Sequence, residues 1–186
     1  MVHFLGTIIN TMYLVKTEFK DQALAQSSMP QEVSSSFILQ SLDAPEKIVR
    51  FDLLMLKAEE RLANSETFEY LFETRGDWNA PPSHAVYAIW QITDPEREAA
   101  FIESRRQLFE LRRQVLPTFA CDWLLKHTDV AGRYMVLGLY GDEEGATSLC
   151  RDHPAIKKFA HAHSAKEYSA QDLTGMCCFR VVATKD

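Results

Sequence analysis

The chain is short of positive charge, with 20 Lys and Arg against 26 Asp and Glu and a net charge of -6. Binding of nucleic acid or an anionic membrane surface needs a basic face, so this balance argues against both. No apolar run approaches the roughly 20 residues of a spanning helix. The first residues, MVHFLGTIINTMYLVKTEFK, lack both a basic start and a small-residue cleavage site. They read as a strand rather than a signal peptide, and the expected location is cytoplasmic. The four cysteines (Cys121, Cys150, Cys177, Cys178) contain no CxxC pair, which argues against a zinc knuckle. They are expected to be reduced, mostly buried thiols, with adjacent Cys177 and Cys178 on opposite faces of a strand. Seven scattered glycines form no GxGxxG, so no nicotinamide or flavin fingerprint is present. GxSxG, HExxH and a Ser/His/Asp order are missing too.

What is present is an alternation of strands and helices. The pattern predicts strands over residues 3–17, 37–42, 47–53, 84–92, 123–125, 134–140 and 175–182. Helices are predicted over Phe19–Gln26, Ala58–Glu73, from Pro95 to Leu116, and from Asp142 toward His163. The second of these rests on Leu62, Phe68, Leu71 and Phe72 at near-helical spacing, with Gly76 as its stop. The third carries one wide apolar face (Phe101, Leu108, Val115 and Ile102, Phe109, Leu116). Its arginines, Arg105, Arg106, Arg112 and Arg113, could reach an anionic substrate but read first as a solvated, salt-bridged flank.

The two hairpins align. Phe37 set on Trp123 gives an offset of 86 residues, and without gaps Leu39 meets Leu125, Asp43 meets Asp129, Phe51 meets Leu137 and Leu53 meets Leu139. Each half then reads β-α-β-β-α, and the second adds a final strand, the ferredoxin-like order. The linker Gly76–Ser83 divides the chain into halves at 1–77 and 84–186. A sheet with helices on one face leaves the other bare, so two such sheets are expected to pack face to face. The fold class expected is therefore α+β: tandem ferredoxin-like (βαββαβ) repeats forming a pseudo-dimeric α+β barrel. An exposed strand edge would allow a homodimer.

Ile9-Asn10 in the first strand and Phe37–Asp43 in the second resemble the antibiotic biosynthesis monooxygenase-like group of the dimeric α+β barrel superfamily. The second half is similar through Arg133-Tyr134 to Tyr140, Glu143-Glu144 and His153-Pro154. The resemblance implies a cavity between sheet and helices, and a cofactor-independent monooxygenase acting on a small aromatic or apolar molecule. A non-catalytic ligand-binding protein of the same fold is the alternative, and a haem-binding protein the third reading. The family oxygenases place an asparagine on the first strand, which Asn10 matches, and a tryptophan near the end of the third, which neither half has.

The residues expected to carry chemistry are Asn10, His127, Tyr140 and His161, with Tyr87, Trp90, Trp123 and Tyr134 as the binding wall. Aromatics with an amide suit a flat phenolic ligand and its anion. A metal is not expected, because His161 and His163 point about 200° apart on a helix and His153 lies two turns from His161. No resident cofactor is expected, haem being the alternative.

Overall fold

The computed structural model describes residues 12–27, 35–54 and 65–185. In chain order the elements are β1 (Tyr13–Phe19), α1 (Gln22–Ser27), β2 (Ser35–Ser41), β3 (Ile48–Leu54), β4 (Ser65–Arg75), β5 (His84–Ile92), α2 (Glu98–Val115), β6 (Phe119–His127) and β7 (Arg133–Tyr140). A broken helix follows, with a π turn at Gly145–Leu149, then α3 (Cys150–Asp152) and α4 (Pro154–Ala162). Two more strands end the chain, β8 (Ala170–Asp172) and β9 (Cys177–Lys185).

The strands run β7-β6-β4-β1-β3-β2-β9-β5, and β5 pairs with β7 to close the ring. The short β8 adds to β5. Within the ring the first half contributes β4-β1-β3-β2 and the second β9-β5-β7-β6, the same ferredoxin-like order twice. They join through β2–β9 and β4–β6. The two joins exchange equivalent strands, which is the symmetry of a dimer written in one chain. Closure also removes strand edges that would otherwise invite pairing with another molecule.

The offset of 86 residues holds in the register. Phe37 pairs with Phe51 and Leu39 with Val49, and their counterparts Trp123 with Leu137 and Leu125 with Met135. Strand alternation sends these side chains into the barrel, where Leu14, Leu39, Val49, Phe51, Phe68, Tyr87, Trp123, Leu137 and Phe179 form a buried cluster. Phe37 and Trp123 meet there edge to face, 6.1 Å between centroids. Each such buried side chain contributes about 2 kcal/mol of transfer free energy. A second cluster fills the space between the outer face of β5–β7 and the helices, with Phe101, Leu108 and Phe109 of α2 and Ile156 of α4.

Residues 65–75 are a strand, not the end of the helix expected over Ala58–Glu73. Thr67, Phe68, Tyr70 and Phe72 favour a pleated surface. A register shift between Tyr70 and Phe72 lets Phe68 and Tyr70 face the barrel while Phe72 faces the helix layer. That break in alternation imitates a helical period. Gly76 follows this strand, where a Cβ would overlap the Phe119 backbone. The last helix is also not continuous, because His153 and Pro154 restart it as α4. Cys177 packs into the barrel cluster and Cys178 into the helix-side cluster, as alternation requires. All four thiols are free.

Candidate functional site

On the outer face of the second half, β5 and β7 present Val86, Ala88, Trp90, Val136, Gly138 and Tyr140 toward α2. With Arg105, Leu108 and Arg112 from α2, Asp172 at the end of β8 and Met176 beyond it, they line a cavity of about 100 Å³. This is below the roughly 300–1,000 Å³ of pockets that enclose a drug-sized ligand, and suits a small one.

Arg105 and Arg112 lie seven residues apart on the face of α2 that carries Phe101 and Leu108, so both turn inward. The solvated flank expected for these two is therefore corrected. The same apolar face that buries α2 carries them with it. The Arg105 side chain packs over the rings of Phe101 (5.1 Å) and Trp90 (5.7 Å). Its one described hydrogen bond runs from Nε to Ser104 Oγ at 3.3 Å. Burial, with the Arg112 charge beside it, pushes its pKa down to about 10, which still leaves it protonated at neutral pH. Arg106 and Arg113 do sit outside, the first over Phe72 at 4.1 Å and the second paired with Glu110 at 2.9 Å.

Below the cavity floor Arg112 donates to Asp122 Oδ2 at 3.0 Å and to the Cys150 carbonyl at 3.3 Å. Asp122 is wholly buried. Burial raises its carboxyl pKa, and Arg112 draws it part of the way back. Burial would lower Arg112, but the Tyr140, Asp122 and Cys150 groups around it hold it above its ordinary value. Burial likewise lifts the Tyr140 hydroxyl well above the phenol range. Tyr140 and Asp122 converge over Gly138. A Cβ there would lie 2.9 Å from the Tyr140 ring and 3.0 Å from its hydroxyl. Among the described residues the Tyr140 hydroxyl, Asp122 Oδ1 and Arg112 Nε find no hydrogen-bond partner. At the mouth Asp172 Oδ1 accepts from the backbone N–H of Thr174 (3.1 Å) and Gly175 (2.9 Å).

The two halves differ at this face. The offset of 86 residues places Ser36, Arg50 and Asp52 where the second half has Asp122, Val136 and Gly138. Ser36 donates to Asp52 at 2.5 Å, and Arg50 reaches Asp52 at 2.7 Å and the Ala25 carbonyl of α1 at 2.7 Å. Arg50 is 1% exposed. Long side chains thus occupy positions that Gly138 and Val136 leave open in the second half.

Of the residues named from sequence, the cavity brings together Trp90 and Tyr140. Tyr87 and Trp123 belong to the barrel interior instead. Tyr87 stacks on Phe179 at 5.2 Å, and Trp123 Nε1 donates to Glu73 at 2.8 Å. His127 lies beside Phe68 at the barrel's end, its Nδ1 accepting from the Asp129 (3.0 Å) and Val130 (3.2 Å) backbones. The Tyr134 hydroxyl donates to Glu98, which also pairs with Lys126 at 3.0 Å. His161 is exposed on α4. His153 caps the start of α4, and His163 meets the Tyr168 hydroxyl at 2.9 Å. Asn10 lies outside the described residues. Among those residues no group of three His, Cys, Asp or Glu is placed to share a metal ion. Arg105, Arg112 and Asp122 were missed as site residues. Their signals were the seven-residue spacing on an apolar helix face and an acid beside Trp123 in an apolar strand.

No family model and no curated protein matches the chain. Solved structures do. An anthrone oxidase-like protein superimposes with a TM-score of 0.67 at 11% identity, covering 95% of this chain and 93% of its own. A ferredoxin-fold protein related to antibiotic biosynthesis monooxygenases from Listeria monocytogenes gives 0.63 at 10% identity, covering 94% and 96%. A haem-degrading enzyme from the same organism gives 0.55 at 11% identity, covering 91% and 99%. The chain shares the fold of these proteins, two ferredoxin-like halves in tandem closed into one α+β barrel.

Proposed function

We propose that the second half binds a small aromatic molecule between β5, β7 and α2 and oxygenates it without a resident cofactor. The observation that carries the reading is the cavity itself, apolar and aromatic on its walls, with two arginines and a carboxylate among its lining. Trp90 offers an indole edge for a ring, and Val86, Ala88, Leu108 and Val136 exclude water from it. Asp172 Oδ2 takes a proton from the hydroxylated substrate at the mouth. The resulting enolate passes an electron to dioxygen, and recombination gives a hydroperoxide at the ring carbon. Loss of water completes the step: a CH2 and O2 become C=O and H2O. The Arg105 guanidinium on the cavity wall favours an anionic form of the bound molecule.

A haem does not fit this cavity. No histidine lines the cavity. The Met176 thioether accepts from the Cys150 thiol, and the Tyr140 hydroxyl is fully buried beneath Gly138. The space is also small for a porphyrin. A binder without turnover is the second reading, favoured by that same small volume.

Oxygen uptake with a panel of hydroquinones and anthrones, run under 18O2, tests the proposal. One labelled atom in the product and one in water, with a loss of at least tenfold on Asp172→Asn, is expected. Ligand binding without oxygen uptake across the panel would overturn the oxygenase reading in favour of the binder.

A further inference from the structure

Among the described residues Arg105 is a cation without a counter-ion. Its residue is 9% exposed, against a cavity wall. Among the described residues no carboxylate lies within ion-pairing distance of it, although Arg112 beside it is paired with Asp122 at 3.0 Å. The acid of the lining, Asp172, is exposed and spends one oxygen on two backbone N–H groups. Among the described residues its terminal nitrogens make no hydrogen bond, and its side chain forms part of the cavity wall. A desolvated charge of this kind is costly unless something cancels it. The planar fork of a guanidinium matches a carboxylate with two parallel hydrogen bonds. Trp90, one ring away, sets the place for an aromatic body attached to that carboxylate.

We infer that the cavity takes a small aromatic carboxylate, its acid group on the Arg105 guanidinium and its ring along Trp90. This deepens the small-aromatic reading of the same site and rests on it. Neutral analogues leave the guanidinium buried and unpaired, so discrimination against them is strong. The acid group fixes the orientation of the ring and so decides which ring carbon faces dioxygen. Arg105 thereby sets specificity.

The test is calorimetric titration of the full chain with benzoate and 4-hydroxybenzoate. Benzamide and 4-cresol serve as neutral counterparts, and inorganic phosphate as a ringless anion. The acids are expected to bind at least 30-fold more tightly than benzamide, and phosphate weakly. Arg105→Met should abolish that preference, and Arg105→Lys should keep part of it. Without ligand, Arg105→Met should melt at an equal or higher temperature than the parent, whereas a purely structural arginine would lower it. Equal affinity for benzoate and benzamide in the parent chain overturns the inference whether or not any variant folds. So does benzoate binding by Arg105→Met within twofold of the parent. Tight binding of 4-cresol with no preference for acids sinks the carboxylate assignment and leaves the small-aromatic reading standing. Failure of every aromatic, acidic or neutral, to bind removes both.

Discussion

Replacing Asp122 with alanine removes one partner of an ion pair sealed under the cavity floor. Asp122 is 0% exposed, the Arg112 side chain is 12% exposed, and the two meet at 3.0 Å. The change leaves a guanidinium with one carbonyl, that of Cys150, in a space lined by Tyr140 and Leu108. Breaking such a pair from one side costs about 3–5 kcal/mol, because the remaining charge is buried without compensation. In a chain of this size each kcal/mol moves the melting temperature by about 2–4 °C, so a fall of roughly 6–20 °C is expected. The pair as a whole is worth much less, since burial disfavours the charged Asp122 and Arg112 offsets only part of this. The double variant Asp122→Ala/Arg112→Met should therefore recover most of the loss. Urea unfolding of the parent, both single variants and the double, followed by circular dichroism, gives the cycle. A loss below about 1 kcal/mol for Asp122→Ala, or a double variant no more stable than that single, would refute the reasoning.

Three further outcomes follow from the same packing. Gly138→Ala drives a methyl group against Asp122 Oδ1 and, at 2.9 Å, the Tyr140 ring, and should cost about 1–3 kcal/mol by overpacking, read by chemical denaturation. Glu98 is held below its ordinary 4.5 chiefly by the Tyr134 hydroxyl. Its contribution is present above that value and lost as pH falls through the lowered one, so Glu98→Gln should flatten the acid limb of a stability profile below pH 4.5. Burial raises the thiols of Cys150 to about 11 and of Cys121 to about 12. Both should resist iodoacetamide at pH 8 in the folded protein and react on unfolding, as peptide mass spectrometry would show.

Much of the architecture was legible because the barrel imposes a strict alternation. His84–Ile92 reads as a strand and is one, and the hairpin offset survives as strand register. The helix expected through Glu73 failed for a local reason. A register shift beside Tyr70 puts two apolar residues on successive positions, and short apolar runs look alike in both periods. The site was half legible. Trp90 and Tyr140 reach the cavity, while Tyr87 and Trp123, equally aromatic and equally strand-borne, fall on the opposite face of the sheet. One residue of register decides that face. The arginines of α2 were read by their charge alone. What buries Arg105 and Arg112 is the position of Phe101 and Leu108 beside them, and what accepts Arg112 is an acid from β6, ten residues on in the chain.

We propose that the second half holds the working cavity; among the described residues Arg50 and Asp52 fill the equivalent positions of the first half. A crystal structure of the chain with 4-hydroxybenzoate tests this most directly. The ring is expected between β5 and α2 along Trp90, with the carboxylate on Arg105. A ligand seated inside the barrel among Tyr87, Trp123 and Phe179, or beside Arg50 in the first half, would contradict it.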